Sequence, residues 1–166
     1  MQQRVEPDPS RPEGWVLPEL DYPTFRLSLV AKYMDRMTIR QLSELSDLSY
    51  AEWRVLSRLA LMPGGGTVGR IAGLAWVDRA EVSRAAASLE KRGMVQRRDN
   101  PADRRTPILS LTESGTAEQN RIMQARGKFH ESLIQDLTGE ERATLDALLH
   151  KVAGRVLSMM PRPGED

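Results

Sequence analysis

The chain has 166 residues, about one domain's length, and its 24 basic and 23 acidic residues leave a net charge of +1. It contains no cysteine, which excludes disulfides, thiolate metal sites and thiol redox sensing, and its two histidines are too few and too far apart for a metal cluster. No apolar run is long enough to span a membrane and the N-terminus has no apolar core of the signal-peptide type, so we expect a cytoplasmic protein.

Residues 1–23 hold five of the ten prolines and predict an extended arm, not a domain. Its apolar residues could pack on a neighbouring helix or a partner subunit, and a disordered tail is the alternative, above all for residues 1–10. These apolar residues are Trp15, Val16, Leu17 and Leu20.

Two helices are predicted next. Apolar residues recur at helical spacing from Thr24 to about Ser43, in the order Leu27, Val30, Met34 and Met37. Ser49 and Glu52 form a capping box that opens a second helix through Leu61. Its predicted buried side consists of Trp53, Leu56, Leu59 and Ala60. Pro63 and three glycines stop this helix, and because no Lys-Ser/Thr follows them we interpret the glycines as a flexible turn rather than a phosphate loop.

A helix-turn-helix is predicted between Gly66 and Gly93. Thr67 caps a third helix through about Ala75, and Asp78 with Glu81 forms a capping box for a fourth helix that Gly93 ends. The core stripe of the fourth helix is Val82, Ala85 and Leu89. Its opposite side carries Ala80, Ser83, Arg84, Ala87 and Lys91.

A hairpin and two long helices complete the chain. Met94–Arg98 and Thr106–Leu111 are the predicted strands around a turn at Asp99–Asp103, with Pro107 placing the second strand at an edge. Thr112 caps a helix with the stripe Ile122, Ala125, Phe129, Leu133 and Leu137. Thr138 and Glu141 cap the last helix, with the stripe Leu145, Leu148, Leu149, Val152 and Val156.

The predicted fold is mainly α, with an α+β winged helix-turn-helix. Residues 24–48 form a first dimerisation helix, 49–111 the DNA-binding domain, 112–160 the C-terminal dimerisation helices and 161–166 a tail. Terminal helices with apolar stripes and no third layer usually find that layer in a second subunit, so we expect a homodimer.

Over about residues 24–158 the chain resembles the MarR family of bacterial transcriptional regulators. The segments that carry the resemblance together, in this order and spacing, are Ala51–Leu56, Asp78–Arg84, Leu89–Val95, Asp99–Arg105 and Leu109–Gly115. The resemblance implies a dimeric winged helix-turn-helix protein that binds pseudo-palindromic operators. Such proteins usually repress transcription and often release DNA when a small ligand binds.

A recognition helix enters the major groove with its N-terminal end near the base edges. Ser83 and Arg84 are predicted to contact phosphate or guanine, and the small Ala80 and Ala87 let the backbone approach. Glu81 stands where the family commonly has a small hydroxyl residue. Its carboxylate either accepts from a cytosine amino group or completes the capping box with Asp78.

The predicted wing lies in a segment, residues 67–106, with nine basic and five acidic residues, which indicates a confined polyanion contact or a solvated charged surface. The resemblance places a wing-tip arginine, Arg104 or Arg105, in the minor groove, fixed by a salt link from Asp103. The complete predicted DNA-binding set is Thr67, Arg79, Ala80, Glu81, Ser83, Arg84, Arg97, Arg98, Asp103, Arg104 and Arg105.

The resemblance also implies an effector pocket between the first, second and fifth helices, and no cofactor is predicted. An arginine or histidine beside an aromatic wall suits an aromatic carboxylate. The candidates are Arg26, Tyr33, Met37, Trp53, Arg54, Met123 and His130. Such residues more often have other roles: Trp53 as core, His130 as an exposed or interface residue, and the methionines as gap fillers.

Two other classes of function compete with DNA reading. A winged helix can dock on another protein without reading DNA, and uncharged replacements in the hairpin would distinguish that module from a DNA reader. An enzyme has no support, because the chain offers no cysteine nucleophile, paired histidines or nucleotide motif, and Ser83 has no evident base partner.

Overall fold

The computed structural model describes Pro12, Gly14, Trp15 and residues 19–160. Most of the predicted arm, including Val16 and Leu17, and the tail at 161–166 therefore lie outside the described residues. The elements, in chain order, are α1 (Pro23–Leu45), α2 (Tyr50–Leu59), α3 (Val68–Ala75), α4 (Arg79–Lys91), β1 (Val95–Arg98), β2 (Ile108–Leu111), α5 (Glu113–Leu133) and α6 (Gly139–Met159). This mostly helical order with one hairpin confirms the predicted fold class. The chain forms two compact units, one up to Gln119 and one from Asn120.

Side-chain caps start the helices where the sequence predicts them. The capping boxes of Ser49 with Glu52 and of Thr138 with Glu141 are complete in both directions, and Thr67 accepts from the Arg70 amide. The predicted box at α4 is formed only in part. The Asp78 carboxylate accepts from the amides of Ala80 (2.7 Å) and Glu81 (3.3 Å), but the described contacts include no return bond from the Glu81 side chain.

The core of the first unit is aliphatic and lies between α2, α3, α4 and the hairpin. Its most deeply buried side chains are Leu56, Ile71, Leu89 and Leu109. The predicted stripes of α2 and α4 are buried with one exception, Ala60, which is exposed because α2 ends at Leu59 and Ala60 is its C-cap. Val55, which the predicted stripe left out, is buried instead.

The hairpin pairs β1 and β2 in antiparallel register, with Val95 opposite Leu111 and Arg98 opposite Ile108. The glycine segment before α3 extends this pairing, since Gly66 and Leu109 exchange two backbone hydrogen bonds of 2.9 Å. The predicted turn is present at Pro63 and Gly64, but the prediction did not include the pairing of the following glycines with the hairpin. Gly65 has a positive φ of 76°, and a Cβ there would overlap the Leu109 carbonyl, so the tight approach requires glycine.

The terminal helices keep much of their apolar surface uncovered in a single chain. On α1, which begins with Pro23 in its first turn, Leu27, Val30 and Met37 are exposed. In the second unit α6 has no buried residue, and its Leu148 is 54% exposed. Leu137, predicted to continue the α5 stripe, lies in the turn after that helix. Within residues 19–160 none of the helices combines the length and apolar character needed to cross a membrane.

Candidate nucleic-acid interface

The exposed face of α4 is built by the periodicity of its buried face. Val82, Ala85 and Leu89 turn inward, so Ala80, Ser83 and Arg84 face outward together with Arg79. Asp78 accepts from the first free amides of the helix, which fixes where this face begins. A helix of thirteen residues with small and basic side chains at its N-terminal end is suited to a DNA major groove.

The guanidinium of Arg79 lies beside a glycine of the neighbouring helix. A Cβ built on Gly69 of α3 would lie 3.4 Å from Nη2 of Arg79 and about as close to the rest of its guanidinium. These are ordinary van der Waals distances, so the guanidinium lies beside α3 at Gly69. Arg79 is exposed at the junction of the two helices.

A concave surface joins α3, α4 and the hairpin. We call it the α4–wing groove; it has a volume of about 550 Å³. Its lining includes six of the predicted DNA-binding residues, namely Thr67, Arg79, Ala80, Ser83, Arg97 and Arg105. The lining residues absent from the prediction are Val68, Gly69, Thr106 and Pro107. Each of these four lies within two residues of a predicted residue in the sequence. That closeness is the only sequence feature that could have predicted their place in the groove.

The tip of the hairpin is ordered by short polar side chains that bond to its own backbone. Asp103 accepts from the Arg105 amide (2.9 Å) and from the Thr106 hydroxyl (2.8 Å), and these bonds hold the pKa of this exposed carboxyl below its usual value. Asn100 accepts from the Ala102 amide at 3.1 Å. Among the described contacts Asp103 makes no ion pair with a wing arginine, contrary to the expected salt link, and both of its oxygens accept hydrogen bonds within the turn.

The four hairpin arginines fall into two pairs. Nε of Arg97 lies 2.7 Å from Oε2 of Glu90 on α4, and Arg98 donates to the Gly64 carbonyl, so both side chains are bonded to residues outside the hairpin. Among the described contacts, neither Arg104 nor Arg105 makes an ion pair. Of the latter two, Arg105 lines the α4–wing groove. Arg97 therefore connects the hairpin to α4 and Arg98 connects it to the turn before α3, whereas Arg104 and Arg105 carry the hairpin charge available to a ligand.

A buried carboxylate secures the other end of α4. Glu52 of α2 is only 6% exposed, and it accepts from the Ser88 hydroxyl (2.6 Å) and the Ser49 amide (2.7 Å). Nη1 of Arg92, the C-cap of α4, lies 3.6 Å from its Oε1, and Arg92 also pairs with Asp47. We call Ser49, Glu52, Ser88 and Arg92 the Glu52 network. The sequence predicts for Glu52 only a role in a capping box.

Burial acts to raise the pKa of Glu52, but the hydrogen bonds from Ser88 and Ser49 and the charge of Arg92 outweigh it, so the pKa lies below its usual value. The carboxylate is therefore ionised at neutral pH. The ionised carboxylate contacts Ser88 and Arg92 at the C-terminal end of α4 and the Ser49 amide at the start of α2. These contacts fix the position of the recognition helix relative to α2.

The predicted effector residues are divided between the two units. Five lie on α1 and α2 of the first unit, and Met123 and His130 lie in the second. Arg26 pairs with Asp21, and Trp53 is buried, as its explanation as a core residue requires. Tyr33 is half-buried and Met37 exposed on α1.

Two of the remaining effector candidates, Arg54 and His130, contact aromatic rings. The Arg54 guanidinium lies 5.6 Å from the centroid of the Tyr50 ring, and the Tyr50 hydroxyl donates to Asp35 of α1 (3.1 Å). In the second unit, His130 packs edge-on to Phe129, and its Nε2 lies 3.0 Å from Arg126. Burial and then the Arg126 charge lower the pKa of His130. The effector site itself stays a prediction.

Two helices joined by a tight turn, with a hairpin beside the second helix, define a winged helix-turn-helix DNA-binding protein. A sequence model described as the MarR family matches residues 46–106. The multiple antibiotic resistance protein MarR of Escherichia coli K12 is 32% identical over 127 residues, covering 76% of this chain and 87% of that protein.

Solved structures agree with the sequence comparison. The apo form of wild-type E. coli MarR is 30% identical, with a TM-score of 0.69 over 82% of this chain and 97% of that one. A point mutant of E. coli MarR complexed with operator DNA is 31% identical, with a TM-score of 0.66 over 78% of this chain and 91% of that one. This chain belongs to the MarR family of transcriptional regulators.

Proposed function

We propose that the protein is a homodimeric repressor that binds a pseudo-palindromic operator and is released from it by a small organic effector, with an aromatic carboxylate as the favoured class. The observation that carries the proposal is the α4–wing groove, in which Ser83 and Arg79 of α4 meet Thr67 of α3 and Arg105 of the wing. Hydroxyl and guanidinium groups of this kind position DNA through its phosphates.

In this proposal α4 and the wing bind different grooves of the DNA. The N-terminal half of α4 enters the major groove, where Arg84 and Ser83 reach base edges or phosphates. The wing follows the adjacent minor groove, and Arg104 and Arg105 supply positive charge to its negative potential. Asp103 contributes indirectly, because its bonds to the turn hold the wing tip in shape.

The uncovered apolar faces of the terminal helices support the proposed homodimer. In the second unit Leu145, Leu148 and Val156 of α6 are exposed at helical spacing, and in the first unit α1 exposes Leu27 and Val30. A second copy would bury this surface and present two recognition helices to half-sites about 34 Å apart. Acting on chromosomal DNA, the dimer would work in the bacterial cytoplasm.

The effector part of the proposal draws on α1 and α2. Arg54 is a cation beside the Tyr50 ring, and α1 supplies a second cation, Arg26, and a second aromatic side chain, Tyr33. Cations and aromatic rings together suit a carboxylate carried on a ring. Such a ligand weakens operator binding only by the ratio of its affinities for the free and the DNA-bound forms.

The test begins with capture of fragmented genomic DNA by the purified protein. Captured duplexes are then titrated by fluorescence anisotropy at two salt concentrations, with Arg79→Ala and Arg105→Ala as interface variants. Arg40→Ala is the matched control, since Arg40 is an exposed α1 arginine paired with Glu44. An enriched palindrome, weaker binding by both interface variants and unchanged binding by the control support the proposal. Salt-sensitive binding without a preferred sequence would contradict it and favour a protein-docking module.

A further inference from the structure

The turn of the helix-turn-helix contains a tryptophan in a backbone conformation that disfavours it. Trp76 follows α3 with φ 53° and ψ 47°, and among the described residues it is the only non-glycine with a positive φ. This left-handed region suits glycine or asparagine, while a bulky side chain there is strained. The turn itself is held by backbone bonds from the Trp76 and Val77 amides to the Ala72 carbonyl, and neither bond depends on the Trp76 side chain.

Packing within the chain does not explain the indole either. Trp76 is 66% exposed, whereas Trp53 is 6% exposed in the core. Within the described part of the chain no ring packs on the Trp76 indole and no guanidinium lies over it. A strained backbone that presents a large amphipathic side chain to solvent points to a partner outside the chain.

The position of Trp76 favours DNA as that partner. It lies two residues before Asp78, the N-cap of α4, and three before Arg79 in the α4–wing groove. The N-terminal end of a recognition helix is the end that approaches the base edges, so the turn before it lies beside the sugar–phosphate strand that borders the major groove. The indole offers an N–H donor for a phosphate oxygen and an apolar face for a deoxyribose.

We propose that Trp76 is a DNA-backbone contact that positions the recognition helix on its operator. The proposal rests on the proposed DNA-binding function and adds to it a residue outside the basic set. It has an unusual consequence, because the change that removes the contact also removes the backbone strain. Trp76→Gly should therefore stabilise the fold, or leave its stability unchanged, while it weakens DNA binding.

The experiment measures thermal unfolding and operator affinity of the full chain, with a duplex recovered by genomic capture as the probe. We expect Trp76→Gly to unfold at the same or a higher temperature and to bind at least about tenfold more weakly, the value of one hydrogen bond to a charged group. The salt dependence of binding should be unchanged, because an indole neutralises no phosphate. The loss should also be similar on non-specific DNA, since a backbone contact reads no sequence.

Two controls separate the outcomes. Leu61→Ala removes another exposed apolar side chain, 67% exposed after α2, and should bind like the wild type. Tryptophan fluorescence should be quenched by the duplex in the wild type and much less so in Trp76→Phe, whose ring lacks the indole signal. If Trp76→Gly binds within about twofold of the wild type while Arg79→Ala binds more weakly, the contact is refuted and the DNA-binding function stands. If the wild type binds no captured duplex, the proposed function fails and the Trp76 contact fails with it.

Discussion

Replacing Glu52 with alanine should destabilise the protein by about 3 kcal/mol. Glu52 lies on α2 and does not line the α4–wing groove. The carboxylate accepts hydrogen bonds of 2.6 Å from Ser88 and 2.7 Å from Ser49, and it faces Arg92. Hydrogen bonds to charged groups contribute roughly 1.5–3 kcal/mol each, and breaking a buried pair on one side costs roughly 3–5 kcal/mol. The lower end applies here, because Arg92 is partly exposed and keeps its bond to Asp47.

The assay is urea unfolding followed by circular dichroism at one fixed protein concentration, since self-association would make the midpoint concentration-dependent. Glu52→Gln keeps the shape and one acceptor, and should lose about 1–2 kcal/mol. A double-mutant cycle with Ser88→Ala should give a coupling of about 1 kcal/mol or more between the two side chains. Additive effects of the two substitutions, or a loss below about 1 kcal/mol for Glu52→Ala, would refute the reasoning.

The pH dependence gives an independent check of the Glu52 network. Burial acts to raise the pKa of Glu52, but its hydrogen bonds and Arg92 lower it by more, so the folded pKa lies below the ordinary value of 4.5. The unfolded chain therefore binds the proton more readily, and the contribution of Glu52 is fully present above pH 4.5 and lost as the pH falls through the folded pKa. Glu52→Gln should flatten the acid side of the stability curve. A curve with the wild-type slope below pH 4.5 would show that another carboxyl is responsible.

Three further predictions concern other parts of the chain. Gly115→Ala, at the start of α5, should cost at least about 2 kcal/mol of stability in thermal unfolding, because the new Cβ would overlap the Met94 carbonyl. A loss under about 0.5 kcal/mol, as for an ordinary surface substitution, would contradict this prediction. Arg105→Ala should reduce the slope of log K against log salt by about two for a dimer, whereas Arg40→Ala leaves it unchanged, and equal slopes would exclude a phosphate contact. Leu148→Asp should lower the mass measured by light scattering from dimer to monomer at micromolar concentration, with the exposed, polar Lys151→Asp as control; a dimeric variant would place the interface elsewhere.

The sequence predicts the helix starts well because each depends on close neighbours in the chain. Ser49, Thr67 and Thr138 all cap the helices for which they were predicted, since a hydroxyl three residues before a free amide can form the bond without tertiary help. The pairing of Gly66 with Leu109 could not be predicted in this way. It joins segments far apart in the chain, and in the sequence the glycines are equally compatible with a free loop.

Side-chain roles at the candidate site were harder to predict than positions. Asp103 lies in the wing as predicted, but its partner depends on the backbone angles of the turn, which bring the Arg105 amide rather than a guanidinium to the carboxylate. The capping role of Glu52 was predictable because that bond is local. Its second bond reaches Ser88 on α4, and only the packing of the two helices brings that hydroxyl within 2.6 Å.

The same contact suggests how α1 and α2 bear on the recognition helix. Asp35 of α1 accepts from Tyr50, whose ring lies beside Arg54, and Glu52, which lies between them in sequence, holds Ser88 of α4. A ligand at Arg54 would therefore act on α2, which is bonded to α1 through Tyr50 and to α4 through Glu52. Continuity alone produces no switch, because coupling also needs two arrangements of α2 that the ligand and the DNA favour unequally. In the structure the Glu52 network bonds the C-terminal half of α4 to α2, while the N-terminal half of α4 lines the α4–wing groove.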